Sequence, residues 1–232
     1  DWSSDVCSSD LTYDPNYDSG IEPVDEESLD EYAHMDTAIY AALKKKGYKY
    51  LGSGVDQAAF VEPGTGYVLK IFGTDRNDRF SNDHKMFFKW YDFCTKHQNN
   101  KFLPRFYGHE SFLWKDENYK GKPHRYLMIR TEPLRESGAV GRSAAKLADL
   151  IAQHDGNAAR ALASFETYYK PQAARVSQAM GGSIDDVYLL ADTMANLYKI
   201  GRSKGWIWDL HYGNIMLRAD GTPVINDPWV IG

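Results

Sequence analysis

The sequence predicts an α+β chain, with a five-stranded antiparallel sheet crossed by one helix and followed by a mostly helical part. Three observations carry this expectation. Short β-prone runs separated by turn signals fill residues 48–134. Helical apolar spacing takes over beyond Pro133. A hydrophobic content of 43%, with 14% aromatic residues, is enough for a buried core in a chain of 232 residues.

The first element to justify is none at all. Residues 1–11, DWSSDVCSSDL, have neither helical nor strand periodicity. They read as the unbroken translation of a sequencing-library adapter, so they are set aside from the fold and the natural N-terminus is expected to be missing. Residues 12–27 are acidic and turn-rich (Asp14-Pro15-Asn16, Ser19-Gly20, Asp25-Glu26-Glu27) and read as a linker or loose tail. Residues 28–133 should form the sheet-rich part, and residues 134–232 the helical part.

Residues 28–46 place Leu29, Tyr32, Met35, Ile39, Ala42 and Leu43 at helical spacing. Acids stand early and Lys44-Lys45-Lys46 late, as the helix dipole favours. The lysine run therefore reads as a last helical turn. Three strands follow, at 48–51, 58–62 and 67–72. Gly52-Ser53-Gly54 makes a tight turn between the first two, and Pro63-Gly64-Thr65-Gly66 a hairpin between the next two. Phe80, Met86, Phe87, Trp90, Tyr91 and Cys94 then repeat with helical period. RFYGHESFLWK and YLMIRTEPL read as two further strands. Beyond them SAAKLADLIAQ, AARALASFETYYK and SIDDVYLLADTMANLYKIGRSKG are helical, the last opened by Ser183 and Asp186 as a cap pair. WIWDLHYGN reads as a loop, and residues 214–217 and 224–226 as a hairpin turning at Asp220-Gly221.

Composition excludes some functions. The net charge is −5, and Asp1, Asp5 and Asp10 of the adapter-like stretch contribute three of these charges. Near-neutrality argues against a dedicated nucleic-acid or membrane-surface binder. No apolar run reaches membrane-spanning length. Of two cysteines, Cys7 falls in the adapter-like stretch. Cys94 is left alone in an aromatic run, a small core residue of a chain from a reducing, cytoplasmic compartment.

The chemistry concentrates near the end. Asp209 and Asn214 lie five apart before the short hairpin, and Asp227 closes it. Phosphoryl transfer from a nucleotide needs a carboxylate for the proton of the attacking hydroxyl. It needs oxygens to hold Mg²⁺, a cation on the phosphates, and a glycine-containing loop over them. The upstream part offers Gly52-Ser53-Gly54 and Lys70. Taken singly each has a plainer reading: a solvated strand lysine, a hairpin turn, a loop cap, a turn-forming Asn, an Asp-Pro turn. In this order and on these elements they make a combined motif.

At these residues the chain resembles the protein-kinase-like superfamily. DLHYGNIM, from Asp209, is similar to the catalytic loop of aminoglycoside and choline phosphotransferases. Val68-Leu69-Lys70 resembles the phosphate-lysine strand, and Asn226-Asp227-Pro228 resembles the metal-binding Asp-Phe-Gly with Pro for Phe. The closest resemblance is to the compact serine/threonine protein kinases of tailed bacteriophages, over residues 48–229. It implies a two-lobed kinase-like fold, ATP and Mg²⁺ as cofactors, and protein acceptors in a bacterial host cytoplasm. Asp209 would be the catalytic base. Asn214 and Asp227 would bind magnesium, and Lys70 would meet the α and β phosphates. Gly52, Ser53 and Gly54 would shape the phosphate loop, and Glu132 to Leu134 the adenine hinge. His211 would either touch the transferring phosphate or brace the loop by hydrogen bonding. The other six histidines have no paired spacing, so no zinc site is expected.

The pattern departs from the family in four places. No Glu stands between Glu62 and Glu110 to pair with Lys70, and Asp83 is the best substitute. Gln57 and Ala58 occupy the region of the loop's third glycine. Pro228 fixes φ where regulated kinases switch a Phe. Five residues follow Asp227 in this sequence, without the family's peptide-binding helices, so the natural protein is expected to be either minimal or cut short here. Two alternatives stand beside the protein kinase. One is a small-molecule phosphotransferase of the aminoglycoside type; the other is a pseudokinase serving as a nucleotide-binding or host-interaction module.

Overall fold

The computed structural model describes residues 37–53, 57–73, 82–115 and 123–231. Expectations for residues 1–36, including the adapter-like stretch and the start of the first helix, lie outside these, as does Gly54. Within them the chain is α+β. Helix α1 (Thr37–Lys45) ends on Lys44 and Lys45, as the lysine run predicts. Strands β1 (Lys49–Ser53), β2 (Gln57–Val61) and β3 (Val68–Gly73) follow. Then come helix α2 (Asn82–Lys96) and strands β4 (Phe106–Lys115) and β5 (Pro123–Thr131). These five strands form one antiparallel sheet in the order β1-β2-β3-β5-β4.

Strand alternation decides which side chains meet which helix. In β3, Leu69 and Ile71 join a small core with Ile39 of α1, Phe60, Tyr126 and Met128. Phe72 points to the other face, into a larger core with Met86, Phe87, Trp90 and Cys94 of α2. Lys70 shares the parity of Phe72 and so faces α2. A register slip of one residue would turn it under α1 instead.

The helical part comprises α3 (Gly138–Gln153), α4 (Ala158–Tyr168), α5 (Lys170–Ala179) and α6 (Ile184–Ser203). The sequence reading ran α4 through Tyr169 to Lys170 and left α5 out. The structure breaks the helix at Tyr169, because Pro171 suits the first turn of a new helix but not the interior of an old one. Helix α5 buries only Val176, so it leaves little apolar period to detect. Helix α3 begins five residues before the predicted run. Ser183 Oγ accepts the Asp186 amide at 3.2 Å as half of the predicted cap pair. The Asp186 carboxylate turns instead to Lys101 Nζ at 2.5 Å, tying α6 to the loop before β4.

Three two-residue strands also escape the sequence reading: β6 (Arg135–Glu136), β7 (Ile207–Trp208) and β10 (Trp229–Val230). Two residues carry no period. Strand β6 extends the hairpin of β8 (Ile215–Leu217) and β9 (Pro223–Ile225), and β7 pairs with β10.

The larger core runs without interruption from Phe106, Leu127 and Ile129 of the sheet, through α2, to Leu147, Phe165, Leu190 and Met194 of the helices. The expected boundary near Pro133 separates secondary-structure types rather than cores. Trp229 closes this core: its Nε1 donates to Leu197 O at 3.0 Å, and the Nε1–Cδ1 edge of its indole lies against Gly201. A Cβ at Gly201 would sit 2.5 Å from that Nε1. Replacing Gly201 with Ala should therefore cost about 1–3 kcal/mol by overpacking, read in a urea melt. A loss below about 0.5 kcal/mol would mean that the indole is free to shift.

Candidate functional site

The site is assembled by backbone hydrogen bonds among segments distant in sequence. Leu210 is buried and anchors its loop, leaving Asp209 and His211 to point outward. Asp209 N donates to Pro228 O at 3.0 Å, and Asn226 N donates to Asn214 O at 2.9 Å. Asp209, Asn214 and Asp227 are thereby held on two adjacent stretches of backbone. Asn214 Nδ2 donates to Asp209 O at 2.8 Å and to Asp209 Oδ2 at 3.3 Å. The turn Tyr212–Asn214 is a single 3-10 turn, which brings residues five apart within side-chain reach.

Lys70 approaches from the sheet. Its Nζ lies 5.4 Å from the centroid of the Phe87 ring. Burial pushes its pKa below the ordinary lysine value, and the nearby Asp227 carboxylate and Cys94 work against that shift. Cys94 is fully buried, as expected, and burial pushes its thiol well above the usual range, opposed by Lys70. Lys70 is thus within electrostatic reach of Asp227, and Phe87, Trp90 and Cys94 form an apolar stripe at helical spacing on α2. Asp83 lies one turn before Phe87 in the first turn of α2, and its side chain lies outside the described residues.

Helix α2 also reaches the hairpin. Trp90 Nε1 donates to Asn226 O at 2.7 Å, and the Trp90 and Trp229 rings meet edge to face at 5.6 Å. The residues on either side of Asp227-Pro228 are therefore gripped by one indole and its partner.

Gly52 sits at a bulge in the β1–β2 pairing with φ +148°, a backbone shape that L side chains rarely adopt. The expected phosphate loop thus begins with a residue whose conformation asks for glycine. Ser53 ends β1, and its side chain lies outside the described residues.

Glu132 is engaged elsewhere. It is buried, and both carboxylate oxygens accept from Arg218, with Nε to Oε2 and Nη2 to Oε1 each 2.7 Å. Arg105 N also donates to Oε1 at 2.8 Å. Arg218 further donates to the carbonyls of Lys101 and Leu103. The Glu132 side chain is therefore an internal strut, and only the main chain from 132 to the buried Leu134 could border a ligand. Sequence reading missed Arg218. Its one signal was that a buried glutamate needs a cation.

Asn214 and Asp227, the expected magnesium residues, carry oxygens of the kind that ion takes, and Asn214 Nδ2 is already spent on Asp209. Mg²⁺ takes one or two such protein oxygens and fills its shell with water and phosphate. Among the described residues no group of three His, Cys, Asp or Glu could hold a metal by itself. No described helix is long and apolar enough to cross a membrane. No protein-family model matches the chain, and no curated protein matches it.

The depressed pKa of Lys70 gives an expectation. The unfolded chain holds that proton more tightly than the folded one. Burying the ammonium therefore opposes folding at neutral pH, and the opposition fades as pH rises from the folded-state value to the unfolded one. Lys70→Met should raise the melting temperature at neutral pH, because the penalty for burying the ammonium is removed with it. Calorimetry at neutral pH checks this, and a lower melting temperature would refute it.

Proposed function

We propose that this chain is a Mg·ATP-dependent phosphotransferase of the phage-type serine/threonine protein kinase kind, with hydroxyls of host proteins as acceptors. One observation carries the reading. Asp209 and Asn214 share a hydrogen-bonded loop stitched to the segment that carries Asp227, and Lys70 lies within electrostatic reach of Asp227. ATP supplies the γ-phosphoryl group. Asp209, with its side chain 42% exposed, is open to an incoming hydroxyl and takes its proton as the new O–P bond forms and the bond to ADP breaks. The Lys70 ammonium offsets phosphate charge in a setting poor in water. Asn214 and Asp227 supply the oxygens for magnesium.

The apolar stripe of Phe87, Trp90 and Cys94 beside Lys70 favours a second reading: nucleotide binding without turnover. One experiment separates the two. The chain lacking residues 1–11 is incubated with γ-labelled ATP and magnesium, alone, with bacterial lysate and with an aminoglycoside. Label on protein bands supports the protein kinase, and label on the drug alone supports a small-molecule enzyme. Saturable ATP binding without label supports the second reading.

A further inference from the structure

We propose that His211 is a positioning residue, the side-chain cap that sets the catalytic loop, and that it does not contact the transferred phosphate. This role rests on the phosphotransferase reading, although the cap itself does not. His211 Nδ1 accepts the Gly213 N–H at 3.1 Å, closing the N-terminal end of the turn Tyr212–Asn214. His211 has the extended backbone of a capping residue, φ −85° and ψ 176°. The ring lies directly on Gly213, where a Cβ would stand 2.8 Å from His211 Cε1. Main-chain bonds complete the wrap: His211 N donates to Asp209 O at 2.9 Å, and Asn214 N donates to His211 O at 3.0 Å. Asp209 and Asn214 are the two ends of this wrap, which the Asn214 side chain ties together, and the imidazole fastens the turn between them.

The chemistry of that bond fixes the tautomer. A nitrogen that accepts from an amide carries no proton, so the neutral ring holds its proton on Nε2. Nε2 stands 3.9 Å from Asp209 Oδ2, too far for a direct hydrogen bond. With Oδ2 already approached by Asn214 Nδ2, the other Asp209 oxygen is left to meet an acceptor hydroxyl. The imidazole therefore serves the site through Nδ1. An asparagine, whose Oδ1 can stand where Nδ1 stands, should replace it better than a glutamine.

The test has two arms on the chain carrying residues 12–232. First, long-range nitrogen–proton NMR on the ¹⁵N-labelled wild type reads the ring, with the signal assigned by its loss in His211→Asn. An unprotonated Nδ1 and a protonated Nε2 are expected. The opposite tautomer, or the averaged mixture of a free imidazole, overturns the proposal without reference to activity. Second, steady-state transfer compares three variants. His211→Ala and His211→Gln should lower kcat about 10–100-fold, with KM for Mg·ATP within about twofold. His211→Asn should stay within about threefold of wild type. Equal losses in the Asn and Ala variants, or a loss carried by KM, would mean phosphate contact and overturn the proposal. No transfer by the wild type, with the capping tautomer in place, overturns the phosphotransferase reading and with it this role. The wrong tautomer beside measurable transfer overturns the role of His211 alone.

Discussion

Replacing Asp209 with Asn should lower phosphoryl transfer by about 10²–10⁴-fold while leaving ATP binding nearly intact, the usual cost of removing a positioned general base. The substitution keeps the shape of the side chain. Its amide oxygen can still accept from Asn214 Nδ2, so the loop should hold its geometry. What disappears is an oxygen that can take a proton. A loss carried mainly by KM would show that Asp209 binds ground state and transition state alike. Full activity would remove it from the chemistry altogether, and the kinase-like reading would fall with it. Single-turnover measurement of labelled phosphate on the acceptor, beside equilibrium ATP binding, distinguishes these results.

The largest expected effect on stability lies away from that loop, at Arg218. Its guanidinium grips both oxygens of the buried Glu132 and two carbonyls of the loop before β4. Arg218→Met would leave a buried carboxylate with only the Arg105 amide. Breaking a buried pair from one side costs about 3–5 kcal/mol, or about 6–20 °C in melting temperature for a chain of this size. Removing both charges, as Glu132→Met with Arg218→Met, should restore most of that loss, because no ion is then stranded. Differential scanning calorimetry on the two variants decides it. A single variant within about 1 kcal/mol of wild type would show that water reaches the carboxylate.

The two sites differ in how far the sequence revealed them. Asp209 and Asn214 were legible because one short turn brings them together, and their spacing is the geometry. Lys70 was singled out by its strand and by the resemblance of Val68-Leu69-Lys70 to a phosphate-lysine strand, while its face is set by the packing of β3, whose neighbours Leu69, Ile71 and Phe72 are all apolar. The five main strands were found within a few residues because turn signals bound their β-prone runs. The Glu132–Arg218 pair spans 86 residues, and the Trp90–Asn226 bond spans 136. No local period connects such partners; only the packed chain does. Strands β7 and β10 exist because each pairs with the other, so neither has a signature of its own. Helix α5 was hidden by its exposure, and its one strong signal, Pro171 in the first turn, stood just beyond the run read as α4 and was not taken as a helix start.

The bond from Trp90 to the Asn226 carbonyl has a consequence for control. It couples α2 to the β9–β10 link carrying Asp227 as one mechanical part, like two levers on a common pin. To swing the helix outward alone, the chain would have to strand an indole N–H and a carbonyl in its interior, at about 1–3 kcal/mol each. Pro228, immediately after Asp227, removes the backbone swivel that would otherwise let the two move apart. Under the proposed reading, a kinase built this way would have no clutch between helix and hairpin. Its output would be set by how much of it is made and by what reaches the open face of Asp209.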